Sequence, residues 1–176
     1  MGIGIAGLYR NRIAAEERAI GLPLTVLREA LDASTGLMTR LALAQPLFNA
    51  AGSLSPLLVH AARITALRLE SCDECVGIGI AYARRDGLGD AVLWCLARGQ
   101  VDGLPPEAAR VVRFVEAVLA ASPEADALGQ EIERAHGRRA RLELLLAACT
   151  ARLFPVVKRG LGLSTACAVP LPHAAE

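Results

Sequence analysis

SPLLVHAARITALRLESCDECVGIGIAYARRDGLG, residues 55–89, contains two helix starts and two helix ends, and its reading decides the fold. Ser55 reads as an N-cap and Pro56 as the first helical residue, where proline's fixed φ suits the helix and its missing N–H is not needed. Leu57, Ala61, Ile64 and Leu67 follow at helical spacing, and Leu58, Ala62 and Leu69 widen that stripe until little of the helix is polar. A helix to about Glu70, buried on most sides, is the expectation. The Ser71-Cys72 step interrupts it. Asp73 and Glu74 then place negative charge where a first helical turn favours it, which predicts a second helix from about Asp73 to Arg85 with Cys72 at or near its N-cap. Gly87-Leu88-Gly89 ends that helix. The alternation Val76-Gly77-Ile78-Gly79-Ile80 is the chain's one weak strand signal.

The same signals extend outward in both directions. Asp90 to Arg98 predicts a short helix, and Pro105-Pro106-Glu107 opens another carrying Val111, Val115 and Val118. Ser122-Pro123 stops that one; a helix from about Pro123 to His136 meets Gly137, and Arg138 to Leu153 continues with Leu142, Leu145, Leu146 and Cys149 until Pro155 breaks or kinks it. Toward the N-terminus, Leu24, Leu27 and Leu31 recur at helical spacing after Pro23, and Thr35 to Ala44 suggests a second short helix. Breaks are expected at Gln45-Pro46 and Gly52-Ser53. The stretch before Pro23 reads as irregular. Hydrophobic residues make up 53% of the 176 positions but aromatics only 3%, so the interior must be built from Ala, Leu, Val and Ile, a mixture that suits closely packed helices. The expected fold is all-α, a single-domain helical bundle over residues 1–176.

Composition also removes several functions. The formal net charge is +1 and the nineteen basic residues, of which Lys158 is the sole lysine, are spread along the chain, giving no support to nucleic-acid binding. No apolar run approaches the roughly 18 to 20 residues of a membrane span, and Met1 to Arg10 lacks the features of a secretory signal, so a cytoplasmic protein is expected. Gly2-Ile3-Gly4-Ile5-Ala6-Gly7 matches a dinucleotide fingerprint, but only Met1 precedes it where the fingerprint needs a strand. No cofactor is expected. A structural zinc site wants four ligands, and neither a second cysteine pair nor a His-X3-His cluster exists, so no metal is expected either.

Cys72 and Cys75 are the chemical focus. In a reducing compartment a close pair among five cysteines is better read as catalytic than as a scaffold. At a helix start, exposed backbone N–H groups stabilise a thiolate, and one-turn spacing lets the second sulfur close a disulfide on the first. The bland alternative is two small hydrophobes in an Ala-rich protein. Asp73 and Glu74 act against the thiolate, while cationic help could come from His60 and Arg63, or from Arg68, Arg84 and Arg85. Cys95 and Cys149 read as structural, and Cys167 as a free thiol in a tail that also holds His173. His136 reads as a cation at a helix C-terminus, and Trp94 as a core or subunit contact.

From about Ser55 to Val101 this order of helices, with Cys-X-X-Cys at a helix start followed by Ala-Tyr-Ala-Arg-Arg-Asp-Gly-Leu-Gly, resembles the alkylhydroperoxidase D-like, carboxymuconolactone decarboxylase superfamily. A weaker resemblance covers 137–162, where Leu153-Phe154-Pro155-Val156-Val157-Lys158-Arg159-Gly160-Leu161-Gly162 looks like the final helices of many members. The resemblance implies a small all-helical homo-oligomer that reduces hydroperoxides or exchanges disulfides with a thiol partner, with Cys75 as the peroxidatic and Cys72 as the resolving cysteine. The helix dipole alone favours Cys72 as the nucleophile, so the attacking sulfur stays open. The chain departs from the pattern at three positions: Gly79 stands where a histidine follows the second cysteine by one turn, His60 where a glutamate precedes the first, and Glu74 where a histidine precedes the second. His60 could serve as a base in place of the lost relay, with Glu70 a weaker candidate. Gly79 and Gly77 read first as positions that let a neighbouring helix approach. Two other activities fit the same resemblance: decarboxylation or isomerisation of a lactone or β-keto acid, drawing on His60, Glu70 and Glu74, and a non-catalytic role in assembly or ligand binding.

Overall fold

One helix organises the second half of the chain, and its composition explains why. In the computed structural model, which describes residues 4–48 and 52–163, α4 (Pro56–Leu69) packs against α5 (Asp73–Arg85), α6 (Asp90–Arg98), α7 (Pro106–Leu119) and α8 (Glu124–Ala151). Ala61, Ala62 and Ala66 are fully buried on it, and such small side chains let four neighbours close in around Leu58, Ile64 and Leu67. From the other side come Val76 and Ile80 of α5, Leu93 and Leu96 of α6, Val111, Phe114 and Val115 of α7, and Ile132 and Leu144 of α8. Arg68 of α4 pairs with Glu116 of α7, and its guanidinium lies where a Cβ on Gly99 would stand. A short 3-10 turn, Val101–Gly103, joins α6 to α7, and α9 (Leu153–Gly160) packs against α8.

The described residues are helical with no strand, so the weak alternation at 76–80 is overridden inside α5. The expected starts and stops of α4, α5 and α6 fall where they were read. Gly137 takes φ 86° and ψ 162°, a conformation open essentially to glycine, and divides α8 into two helical stretches as anticipated. The break expected before Pro155 falls at Arg152, between α8 and α9, and Pro155 sits in the first turn of α9, where a proline forfeits no intrahelical bond.

The sequence reading treats residues 1–176 as one domain; within it, contacts gather into two compact units, Met1–Asn49 and Ala50–Glu176. The first holds α1 (Ile5–Ile20), α2 (Thr25–Ala33) and α3 (Thr35–Phe48). Residues 5–20, expected to be irregular, are therefore helical. The stripe was hard to see because Ile13 is the one buried residue of α1, and Arg10, Arg12, Glu16, Glu17 and Arg18 crowd the same turns. A legible stop signal does close it: Gly21, at φ 72°, accepts the left-handed cap two residues before Pro23. Helix α3 likewise continues through the anticipated break at Pro46. Glu17 ties α1 to α2, accepting from Leu24 N at 2.8 Å and from Arg28. Cys167 and His173 lie outside the described residues.

Candidate functional site

The turn between α4 and α5 sets the site. Ser71 adopts φ 54°, the left-handed region, and so ends α4 sharply and turns the chain back. Cys72 becomes the N-cap of α5: its sulfur accepts from the backbone N–H of Cys75 at 3.4 Å, the position a serine or aspartate oxygen takes in an ordinary cap. Cys72 and Cys75 are joined as a disulfide, with Cα atoms 5.2 Å apart. Cys75 is buried in the first turn, whereas Cys72 is half-buried. The less buried of the two cysteines is thus the one that caps the positive end of the helix.

Two buried carboxylates flank the pair, and both are matched by cations from about eighty residues downstream. Glu70, the C-cap of α4, accepts from Arg152 through one oxygen and from Arg159 Nη2 through the other at 2.7 Å; Arg159 Nη1 also reaches its backbone carbonyl at 3.3 Å. The Arg159 hydrogen bond, opposed by burial and joined by Arg152, holds the Glu70 carboxyl below the ordinary glutamate range. Glu74, between the two cysteines, accepts from the ammonium of Lys158. This second pair is interior at both ends, with side-chain exposures of 7% and 2%. Asp73 is exposed. The acidic flank expected to oppose a thiolate is therefore largely offset by α9 and the residue before it. The sequence reading did not anticipate these pairs; the one signal available was that a single lysine stands among eighteen arginines.

His60 is not brought to the cysteines. Its Nε2 meets Asp86 Oδ2 at 2.7 Å, and Asp86 is the C-cap of α5. At 1.5 Å per helical residue, that end lies about 16 Å along the axis from Cys75. The ring is buried, its Nδ1 has no hydrogen-bond partner, and burial, opposed by the Asp86 hydrogen bond and aided by the Arg63 charge, pushes its pKa down. Arg63, which was read on the same face, has its own pKa lowered by burial, with the Asp86 charge opposing.

Gly79 lies where α4 and α5 come close together. A Cβ built there would stand 2.9 Å from Leu67 Cδ1 and 3.5 Å from Ile64 Cγ1, so α4 and α5 approach through the space a side chain would need. The close-approach reading of this glycine holds. Of the other cysteines, Cys95 is buried and Cys149 is exposed, the latter because α8 is apolar on more than one face: Leu142 and Leu146 share its outward side while Leu144, Ala147 and Ala148 are buried. Trp94 is partly buried against the core.

Among the described residues, no group of three or more His, Cys, Asp or Glu could hold a metal ion, and no helix is long and apolar enough to cross a membrane. In the first unit an open cleft of about 460 Å³ is lined by Glu17, Arg18, Pro23 and Arg28, and it carries no nucleophile. Comparison of the chain with protein-family models, with curated proteins and with solved structures finds no match.

Proposed function

We propose that this protein is a thiol-dependent redox protein of the alkylhydroperoxidase D-like type, cycling Cys72 and Cys75 between dithiol and disulfide as it reduces hydroperoxides or exchanges disulfides with a thiol reductant. The observation that carries the reading is the half-buried Cys72 at the N-cap of α5, its sulfur accepting a backbone N–H and within bonding reach of Cys75. Helix N-terminal thiols are thiolate-rich, and access decides which sulfur meets a partner. These two facts support Cys72 as the attacking sulfur. Its thiolate takes the distal oxygen of a hydroperoxide, the O–O bond breaks, and the alkoxide leaves as alcohol after taking up a proton. The sulfenic acid at Cys72 is then attacked by Cys75, expelling water and closing the disulfide. Two equivalents of an external thiol restore the dithiol and leave as their own disulfide. A homo-oligomer in a reducing compartment completes the reading.

The lactone or β-keto acid alternative draws less support, because Glu70 and Glu74 are committed to ion pairs and His60 to Asp86. The test is mass spectrometry of the reduced protein exposed to hydrogen peroxide or cumene hydroperoxide. The intact mass should fall by two hydrogens, and Cys75→Ser should abolish that loss and leave a sulfenic acid on Cys72 that dimedone labels. Prolonged exposure that leaves the wild-type pair reduced overturns the proposal.

A further inference from the structure

We propose that Lys158 is a positioning residue of the Cys72–Cys75 site: by pairing with Glu74 it keeps the buried carboxylate next in sequence to Cys75 from repelling the thiolate that reduction releases. This rests on the reading of the pair as a cycling dithiol. Its starting point is the placement of charge. Glu74 is covalently between the cysteines and buried, and an uncompensated carboxylate there is a like charge beside any thiolate. Lys158 reaches it across 84 positions of sequence and is itself 2% exposed.

Stability alone does not account for such a pair. Taking an ammonium and a carboxylate out of water costs several kcal/mol per ion, and apolar residues of similar size are often as stable or more so in the same space. Residue type points the same way. The half-exposed Glu70 partners are arginines, whose planar forks engage its two oxygens and its backbone carbonyl. The interior partner of Glu74 is the chain's one lysine, a compact ammonium that serves as a point charge. Beside the disulfide, Glu70 is paired with Arg152 and Arg159 and Glu74 with Lys158, while Asp73 is exposed. Reduction to a thiolate adds one negative charge, and loss of Lys158 would add the equivalent of another.

The experiment follows the rate at which iodoacetamide alkylates the reduced Cys72–Cys75 peptide as a function of pH, in the full-length wild type, Lys158→Met, Glu74→Gln and the double variant. The pH of half-maximal rate should rise in Lys158→Met by on the order of one pH unit, fall in Glu74→Gln, and return close to wild type in the double variant, which is neutral at both positions. The equilibrium with glutathione should move in step: the disulfide becomes harder to reduce in Lys158→Met and easier in Glu74→Gln, because a better-stabilised thiolate favours the reduced form. A purely structural role would expose the thiols in both single variants and speed alkylation at every pH without shifting the half-points in opposite senses. Should Lys158→Met not fold, Glu74→Gln and the double variant carry the test. Unmoved half-points in whichever single variants fold, or shifts of the same sign, overturn the inference. The wild-type response to peroxide is read separately, so failure of the cycling reading and failure of the Lys158 inference are distinguishable.

Discussion

The two ends of the α4–α5 hairpin solve the same electrostatic problem in different ways. At one end, His60 is buried and faces Asp86, whose side chain is 45% exposed. At the other, Glu70 and Glu74 are buried beside a disulfide and are matched by Arg152, Lys158 and Arg159. The first end is a local arrangement in which burial keeps the imidazole neutral. The second keeps its charges and recruits countercharges from far along the chain. The compensated carboxylates at the second end suit the proposed thiolate; a neutral histidine about 16 Å away along the helix supplies none of that compensation.

The comparison predicts unequal consequences for breaking each end. Lys158→Met strands a buried carboxylate and should destabilise the protein by about 3–5 kcal/mol, the range for removing one partner of an interior pair. Asp86→Asn, which leaves a neutral histidine beside a part-exposed amide, should lie within about 1 kcal/mol of wild type. Urea unfolding at neutral pH measures both. Equal losses at the two ends would show that the interior location of the Lys158 pair carries no special energetic weight.

The middle of the hairpin offers the next largest effect. Gly79→His introduces the residue that the proposed resemblance would have there, yet a Cβ at this position meets Leu67 Cδ1 at 2.9 Å, so the expected result is a loss of about 1–3 kcal/mol from overpacking and no gain in peroxide turnover. Leu67→Ala in the same chain should recover part of that loss relative to the sum of the two single variants, because the two changes share one space. Additive losses would mean that the close approach at Gly79 is not what excludes a side chain.

These contrasts also mark what could be read from the sequence. The ends of α5 were legible because their determinants are local: Asp73 and Glu74 in the first turn, Arg84 and Arg85 in the last, glycines beyond. Gly137 was legible for the same reason. The ion pairs were not, since local signals place Glu74 at the start of α5 and say nothing of what a residue 84 positions later will meet. His60 was misplaced in function by a related gap. The resemblance sets His60 where a glutamate precedes the first cysteine and so implied a shared site, but the hairpin turn at Ser71 sends α5 back along α4, and the histidine meets the far end of α5 instead. Helix α1 was lost because one buried residue, Ile13, makes too thin a stripe to detect among charges.

Glu70 gives a smaller effect with a defined pH sign. Its folded pKa is lowered, by Arg159 first, so the stability it contributes is present above the ordinary glutamate value of about 4.3 and is lost as pH falls through the lowered value. Glu70→Gln should cost about 1–2 kcal/mol at pH 7, discounted because both arginines are part-exposed, and should flatten the acid limb of the stability curve below that ordinary value. A cost at pH 7 that persists undiminished at pH 2 would mean packing, not charge, holds Glu70 in place.

The smallest effect should come from His60, with the window at higher pH. Burial, the largest influence, lowers its folded pKa, so protonation is resisted in the native state while the unfolded chain takes up the proton near the ordinary value of about 6.5. The unfolded state then binds more protons as pH falls, and the associated stability, complete above that value, is lost between it and the lowered folded value. His60→Gln should remove this slope from melting temperatures recorded between pH 8 and pH 5. Asp86→Asn should steepen it, because the Asp86 hydrogen bond is the main influence that opposes burial and without it the folded pKa falls further. Neither variant should move the pH of half-maximal alkylation at Cys72 and Cys75. A shift there would couple the two ends of the hairpin and return His60 to the site proposed at Cys72 and Cys75.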